Sequence, residues 1–256
     1  EELAAYEPRW QTPLVTKYRG LEVRVPPPNS AGFQIAETLN ILDRIDLPEY
    51  GSPANLHAMI EAVFRAADDR AKYAGDPAQV VVPIERLLSD EYAQAVAESI
   101  DAAVTAGPPA ERWNRSRVER PLVDIAKPYV PGMTTHFATA DSEGNAVTIT
   151  QTLGGAFGSC FAPDGTGLFV NNMSKWFDID PALGSPNLVG GGKEVDFCVA
   201  PVQLFDVSGD APRIRLSIGT PGSYGILHTS AQMIHHFVDA RMNIQEAIEV
   251  PRFRFY

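Results

Sequence analysis

Paired threonines near the middle of the chain could supply a nucleophile. Residues 133–137 read MTTHF and open a strand-like stretch. A threonine freed by cleavage of the preceding peptide bond carries its own base, because the new α-amine can take the proton of the hydroxyl. Thr152 ends the next predicted strand and could reach back to Thr134. Since paired threonines are common in strands, the motif alone is only a hypothesis of cleavage between Met133 and Thr134.

A hairpin is predicted to hold these threonines. Residues 137–140 lead into the turn cluster 141–145, and residues 146–152 run back. Val147, Ile149 and Gln151 alternate with threonines, as expected of a strand with two different faces. The nucleophile and its partner would therefore lie at one end of a two-stranded unit.

A second hairpin and a helix are predicted further along the chain. The strands cover residues 202–207 and 213–218, and the turn at 219–222 opens a helix with an apolar face. Gly222 and Ser223 lie at the entrance of this helix, where two backbone N–H groups could point at a developing oxyanion.

The first half of the chain is predicted to be mainly helical. Apolar residues recur at helical spacing from Ser52-Pro53 to near Tyr73, with Ser52 as N-cap. Shorter helices are predicted over residues 34–42 and after Ser89. The region that follows, up to the threonine pair, mixes Pro, Arg and Glu without periodicity and is predicted to be a linker.

The composition excludes several classes of partner. The 256 residues are 45% hydrophobic and carry a formal net charge of −11, which opposes binding to nucleic acid or to an anionic membrane surface. No apolar run is long enough to span a bilayer. Cys160 and Cys198 show no metal-ligand spacing, so neither a metal nor another cofactor is predicted. The compartment stays open between cytoplasm and periplasm.

The order of short motifs along nearly the whole chain resembles the gamma-glutamyltransferase family. The resemblance implies an α+β fold, the four-layer αββα sandwich of N-terminal-nucleophile hydrolases, with two antiparallel sheets between helical layers. The motifs are YRG at 18–20, PPPNSAG at 26–32, DRA at 69–71, GDP at 75–77, TTH at 134–136, DSEGNA at 141–146, NN at 171–172, TPGS at 220–223 and PRF at 251–253.

The resemblance also implies two subunits made from one precursor. Residues 1–133 would be the end of the large subunit, with a linker at 107–133, and residues 134–256 would begin the small subunit. Together they would form one fold, truncated at both ends relative to the family. An arginine of the large subunit that grips a substrate carboxylate would lie outside the sequence. A dimer of such heterodimers is left open.

Catalytic roles follow from the same resemblance. Thr134 would attack the Met133-Thr134 peptide and later the amide of a small-molecule substrate, and Thr152 would hydrogen-bond the Thr134 hydroxyl. Gly222 and Ser223 would form the oxyanion hole, with serine in place of the family's second glycine.

The chain departs from the family where the amino-acid head group of the substrate is held. The substrate-binding positions are occupied by Gly154, Met173, Trp176, Phe197 and Cys198. Met and Trp cannot offset the desolvation of an α-ammonium group, although Asp178 and Asp180 lie close enough in sequence to substitute.

The sequence therefore predicts a self-cleaving threonine amidohydrolase or acyltransferase acting on an acyl group other than gamma-glutamyl, such as an oxamate-type or a cephalosporin or glutaryl acylase-type substrate. The alternative is a true gamma-glutamyltransferase or glutathione hydrolase in which other residues hold the amino-acid head group. A catalytically silent homologue that serves as a binding module is a third possibility.

Overall fold

The computed structural model describes residues 5–106 and 133–254. The predicted linker therefore lies outside the described residues, apart from its last position, Met133. The first half begins with a hairpin of β1 (Leu14–Tyr18) and β2 (Leu21–Val25), which the prediction of a mainly helical half missed. Arg19 and Gly20 connect the strands with φ of 48° and 80°, the backbone that tight hairpin loops require.

Four helices follow this hairpin: α1 (Phe33–Leu42), α2 (Pro53–Tyr73), α3 (Ile84–Leu87) and α4 (Asp90–Ala106). The Ser52 side chain accepts a hydrogen bond from the Asn55 backbone, so the predicted N-cap of α2 is confirmed. The predicted helices over residues 34–42 and after Ser89 correspond to α1 and α4.

The described residues 133–254 form four strands and two α-helices: β3 (Thr134–Ala140), β4 (Ala146–Thr152), β5 (Val202–Asp206), β6 (Arg213–Ile218), α5 (Gly225–Val238) and α6 (Ile244–Glu249). Both predicted hairpins are present. Between β4 and β5 the described chain has two short 3-10 helices, Met173–Trp176 and Pro181–Leu183.

The strands form two antiparallel sheets, so the predicted fold class is confirmed. One sheet has the order β1-β2-β5-β6, and the other is the β3-β4 hairpin. Val23 of β2 pairs with Leu204 of β5, which means that both halves of the chain build the larger sheet. The sheets contact each other through β4 and β6.

The hydrophobic core lies between the larger sheet and the helices. Every residue of α1 is buried, and this helix packs on β1, α2 and α5. Among the described residues, no helix is both long enough and apolar enough to cross a bilayer.

A buried acid lies where three helices meet. Glu37 of α1 is 0% exposed and lies beside Asp69 of α2, whose carboxylate accepts a hydrogen bond from the Tyr92 hydroxyl of α4. Burial, and then the charge of Asp69, raise the pKa of Glu37 well above its ordinary range; Arg86 and Lys72 act more weakly in the opposite direction. Burial thus favours the protonated form of Glu37 in the folded protein.

We expect Glu37→Gln to stabilise the protein at alkaline pH. The folded state of the wild type keeps a proton that the unfolded state loses above about pH 4.3, so stability falls as pH rises towards the folded pKa, by up to about 1.4 kcal/mol per unit. Glutamine removes this dependence. Thermal melts at pH 5 and pH 8 check it, with the exposed Glu98→Gln as control. Equal pH slopes for wild type and Glu37→Gln would contradict the assignment.

Candidate active site

The two predicted threonines face each other across a hairpin. Thr134 begins β3 and pairs directly with Thr152 at the end of β4. Both are half-buried. The Thr152 hydroxyl lies 3.3 Å from the Met133 carbonyl oxygen, to which it can donate, and accepts a hydrogen bond of 2.9 Å from the Gly154 backbone. It is therefore placed at the predicted cleavage site, whereas its hydrogen bond to the Thr134 hydroxyl stays a prediction.

His136 extends the same face of the hairpin. It pairs with Thr150, and its Nδ1 lies 2.8 Å from the Thr150 hydroxyl oxygen. Partial burial lowers the pKa of His136, because the charged ring would lose its hydration. The imidazole is therefore neutral at pH 7. His136 belongs to the TTH motif, but no role for it was predicted from the sequence.

The His136 ring meets the backbone of Gly219, the residue after β6. A Cβ built on Gly219 would lie 2.3 Å from His136 Nδ1 and 2.6 Å from Cε1. A side chain at this position would therefore require the His136 ring to move. Gly219 begins the turn that leads to Gly222, Ser223 and helix α5.

Gly222 and Ser223 have left-handed backbones, with φ of 132° and 56°. Their carbonyl groups accept hydrogen bonds from the backbones of Gly225 and Ile226, which define the entry to α5. Among the described residues, none accepts a hydrogen bond from the N–H of Gly222 or Ser223. Two free N–H groups at a helix entrance could stabilise an oxyanion, which is the role predicted for them.

The loop after β4 is tied to the Asn171-Asn172 segment. The Asn172 side chain accepts a hydrogen bond of 2.8 Å from Gly155, and its backbone donates one of 2.9 Å to Leu153. Gly154 has φ of +86°, and a Cβ there would lie 2.3 Å from Asn172 Oδ1. A side chain at this position would therefore require the Asn172 side chain to move.

Met173 and Trp176 lie in the first 3-10 helix and are half-buried. The Trp176 ring packs against that of Tyr224, with centroids 6.0 Å apart. Lys175, between them, is exposed, and its Nζ would lie 3.5 Å from a Cβ on Gly155. The segment predicted to hold the substrate head group thus offers apolar surface and one cation.

Phe197 and Cys198 lie just before β5. The Phe197 backbone exchanges hydrogen bonds with Asn29 and Ala31, which fixes this segment against the start of α1. Cys198 is 0% exposed, and burial raises the pKa of its thiol to about 12. The nearby Ser223 side chain acts weakly in the opposite direction. Cys198 therefore presents no exposed thiol to a substrate.

A buried charge cluster supports the turn, and the sequence analysis missed it. Asp196 is 3% exposed and lies 3.5 Å from Arg70 Nη1. The Tyr224 hydroxyl donates to Asp196 Oδ2 at 3.1 Å, and the Arg70 guanidinium lies 4.3 Å from the centre of the Tyr224 ring. Burial raises the pKa of Asp196 to about 6, although Arg70 acts to lower it. The DRA motif marked Arg70, but nothing in the sequence linked it to Asp196.

The parts of the chain that the structure describes contain no set of side chains arranged as metal ligands. No three His, Cys, Asp or Glu side chains there converge on a point that could hold an ion. The residues predicted for the site can instead offer a hydroxyl nucleophile, backbone hydrogen-bond donors and apolar side chains.

Known proteins with a similar sequence or structure agree on one family. The gamma-glutamyltranspeptidase family model matches residues 1–255. The glutathione hydrolase proenzyme of Escherichia coli is 33% identical over 99% of this chain and 43% of its own length. The acylase ACY 1 proenzyme of Pseudomonas sp. strain V22 is 34% identical over 98% of this chain and 42% of its own.

The solved cephalosporin acylase from Bacillus halodurans superimposes on the whole chain with a TM-score of 0.74 and 27% identity, covering 42% of its own length. The chain thus spans less than half the length of these relatives. The fold is that of the N-terminal-nucleophile hydrolases, as predicted. Since the family model and the relatives both extend over nearly all of its residues, the chain belongs to the gamma-glutamyltranspeptidase family.

Proposed function

We propose that this chain forms the catalytic part of a self-cleaving amide hydrolase in which Thr134 becomes the N-terminal nucleophile. The observation that carries the proposal is the register of β3 and β4, which sets Thr134 opposite Thr152 and brings the Thr152 hydroxyl to the carbonyl of Met133. The names of the relatives, glutathione hydrolase and acylase proenzymes, support both the cleavage and the amide chemistry.

Cleavage would proceed by a shift of the Met133 acyl group from nitrogen to oxygen. The Thr134 hydroxyl attacks the Met133 carbonyl carbon, the C–N bond breaks, and the hydroxyl proton ends on the departing nitrogen. Thr152 donates to the carbonyl oxygen and stabilises the negative charge that develops there. Water then hydrolyses the ester, which leaves a carboxylate on Met133 and a free amine on Thr134.

Substrate hydrolysis would use the same hydroxyl a second time. The free α-amine of Thr134 takes the proton of the Thr134 hydroxyl, and the hydroxyl oxygen attacks the carbonyl carbon of the substrate amide. The N–H groups of Gly222 and Ser223 donate hydrogen bonds to the oxyanion that forms. The leaving amine departs with the proton, and water releases the acyl group from Thr134. An amine acceptor in place of water would make the same enzyme an acyltransferase.

Residues 1–133 and 134–256 would remain associated after cleavage as large-subunit and small-subunit segments. Pairing of β2 with β5 supports this, because the larger sheet draws strands from both sides of the cleavage site. The proposed heterodimer thus keeps one core.

We propose that the substrate head group is anionic and lacks the gamma-glutamyl α-amine. Met173 and Trp176 present apolar surface where an ammonium would need acceptors. Two nearby carboxylates that could bind an ammonium group already accept hydrogen bonds from neighbouring residues. Asp178 accepts one from Ser185, and Asp180 caps the second 3-10 helix. Lys175, beside Gly155, suits a carboxylate-bearing acyl group of the glutaryl or oxamate type.

The alternatives differ in measurable ways. A true glutathione hydrolase would be favoured by efficient turnover of a gamma-glutamyl amide, as the name of the E. coli relative suggests. A catalytically silent binding homologue would remain a single polypeptide without amide hydrolysis.

We expect Thr134→Ala to abolish both processing and amide hydrolysis, because one hydroxyl serves both attacks. Thr134→Ser keeps a hydroxyl and should still process. Mass spectrometry of the full-length protein checks for an N-terminus at position 134, and a p-nitroanilide assay follows hydrolysis. Thr135→Ala, on the exposed side of the strand, is the control and should process normally. An N-terminus at 134 in Thr134→Ala would refute self-cleavage.

We expect glutaryl-p-nitroanilide to be hydrolysed far more efficiently than gamma-glutamyl-p-nitroanilide, from which it differs only by the α-amino group. Lys175→Met should lower kcat/KM for the glutaryl compound about tenfold, the value of one charge-assisted hydrogen bond, and leave butyryl-p-nitroanilide unchanged. Lys17→Met on β1 controls for loss of a lysine. Efficient gamma-glutamyl turnover would instead favour the glutathione hydrolase alternative.

We expect Gly154→Ala to lower the thermal midpoint more than Gly144→Ala. Both glycines have left-handed backbones, with φ of +86° and +89°, so either alanine costs about 1–2 kcal/mol of strain. Only at Gly154 would the new methyl also meet a neighbour, Asn172. Combining Gly154→Ala with Asn172→Ala should recover part of the loss. Equal melting points for the two glycine variants would show that the loop shifts freely.

A further inference from the structure

We propose that His136 is a positioning residue whose imidazole holds the strand of the nucleophile at a fixed distance from the turn that carries the oxyanion donors. The inference rests on the proposed function, since it assigns the nucleophile to Thr134 and the donors to Gly222 and Ser223. It concerns the geometry of that site and adds no step to the reaction.

The ring is held from one side by a hydrogen bond. Nδ1 lies 2.8 Å from the Thr150 hydroxyl oxygen on the paired strand, so rotation of the ring would break this contact. The proposed function gives the proton transfers to the α-amine of Thr134. His136 is accordingly assigned a role in the positions of other groups and no proton transfer.

On its other side the ring lies against Gly219. A methyl group on Gly219 would overlap Nδ1, Cε1 and Cγ at 2.3, 2.6 and 2.8 Å. Unlike Gly222, Gly219 does not have a left-handed backbone, so its conformation would accept an alanine. The His136 ring therefore occupies the space into which a side chain at Gly219 would extend.

The contact links the two parts of the catalytic geometry by short stretches of chain. Thr134 lies two residues before His136 on β3, and Gly222 and Ser223 follow Gly219 in the turn into α5. A shift of the ring would change the distance from the Thr134 hydroxyl to the N–H groups. Since misplacement by about 1 Å can cost 100-fold in rate, the contact should control kcat more than KM.

A double-mutant cycle in the full-length protein tests the proposal. Gly219→Ala and His136→Ala should each lower kcat at least tenfold with little change in KM, measured per mole of exposed N-terminal threonine. The double variant should be no slower than either single variant, because the added methyl then enters the space of the missing ring. His136→Asn, which keeps a polar group near Thr150, should retain more activity than His136→Ala.

Gly209→Ala is the control: this turn glycine has open space around it and no left-handed backbone, so its activity should match the wild type. Thermal melts of every variant separate loss of folded protein from loss of rate. Additive losses in the cycle, or unchanged kcat in Gly219→Ala, would overturn the role of His136. A wild type that neither cleaves at Thr134 nor hydrolyses amides would instead overturn the proposed function itself.

Discussion

The register of β3 against β4 is the constraint on which the site depends. It places Thr134 opposite Thr152 and His136 opposite Thr150, all on one face. Because side chains alternate along a strand, a slip of one residue would turn that face away from the turn at Gly219. Phe137, Val147 and Ile149 would then exchange places with the polar residues. The asymmetry of the two faces thus helps to fix the chemistry.

The proposed catalytic groups and the proposed head-group site belong to different parts of the chain. The former lie on regular strands and at a helix entrance, where backbone hydrogen bonds fix them. The head-group residues lie mainly in the irregular segment between β4 and β5. There the Asn172 side chain occupies the space that a side chain at position 154 would need. With such a division, substitutions in the loop could change which acyl group is accepted without altering the surroundings of the proposed nucleophile.

Sequence reasoning succeeded where the signal was local. The alternation in β4, the N-cap Ser52 and the turn before α5 each depend on neighbours within a few residues, and each was confirmed. The β1-β2 hairpin was missed because its strands are short, although the Arg19-Gly20 pair and the alternation of apolar and charged residues in LEVRV could have indicated it. Arg19 is unusual in that left-handed turn position, so the signal was weak.

The contacts that no local pattern reveals are those between distant segments. Nothing in the sequence indicates that His136 lies against Gly219. Likewise, nothing indicates that the Asn172 side chain lies against Gly154. Both depend on how the β4-β6 contact and the loop after β4 assemble in three dimensions. The motif matches could therefore point to Thr134 as the proposed nucleophile but could not reveal these long-range contacts.

The cluster of Arg70, Asp196 and Tyr224 connects the part of the chain before the proposed cleavage site to the turn that carries the proposed oxyanion donors. Arg70 belongs to α2, whereas Tyr224 follows directly after Ser223 in the turn. Removing one partner of a buried ion pair leaves an uncompensated charge, at a cost of about 3–5 kcal/mol. The turn therefore depends on a helix from before the proposed cleavage site. If the chain is cut at Met133-Thr134, the first segment remains necessary for the geometry of the second, and the bond between them is dispensable once both have folded together.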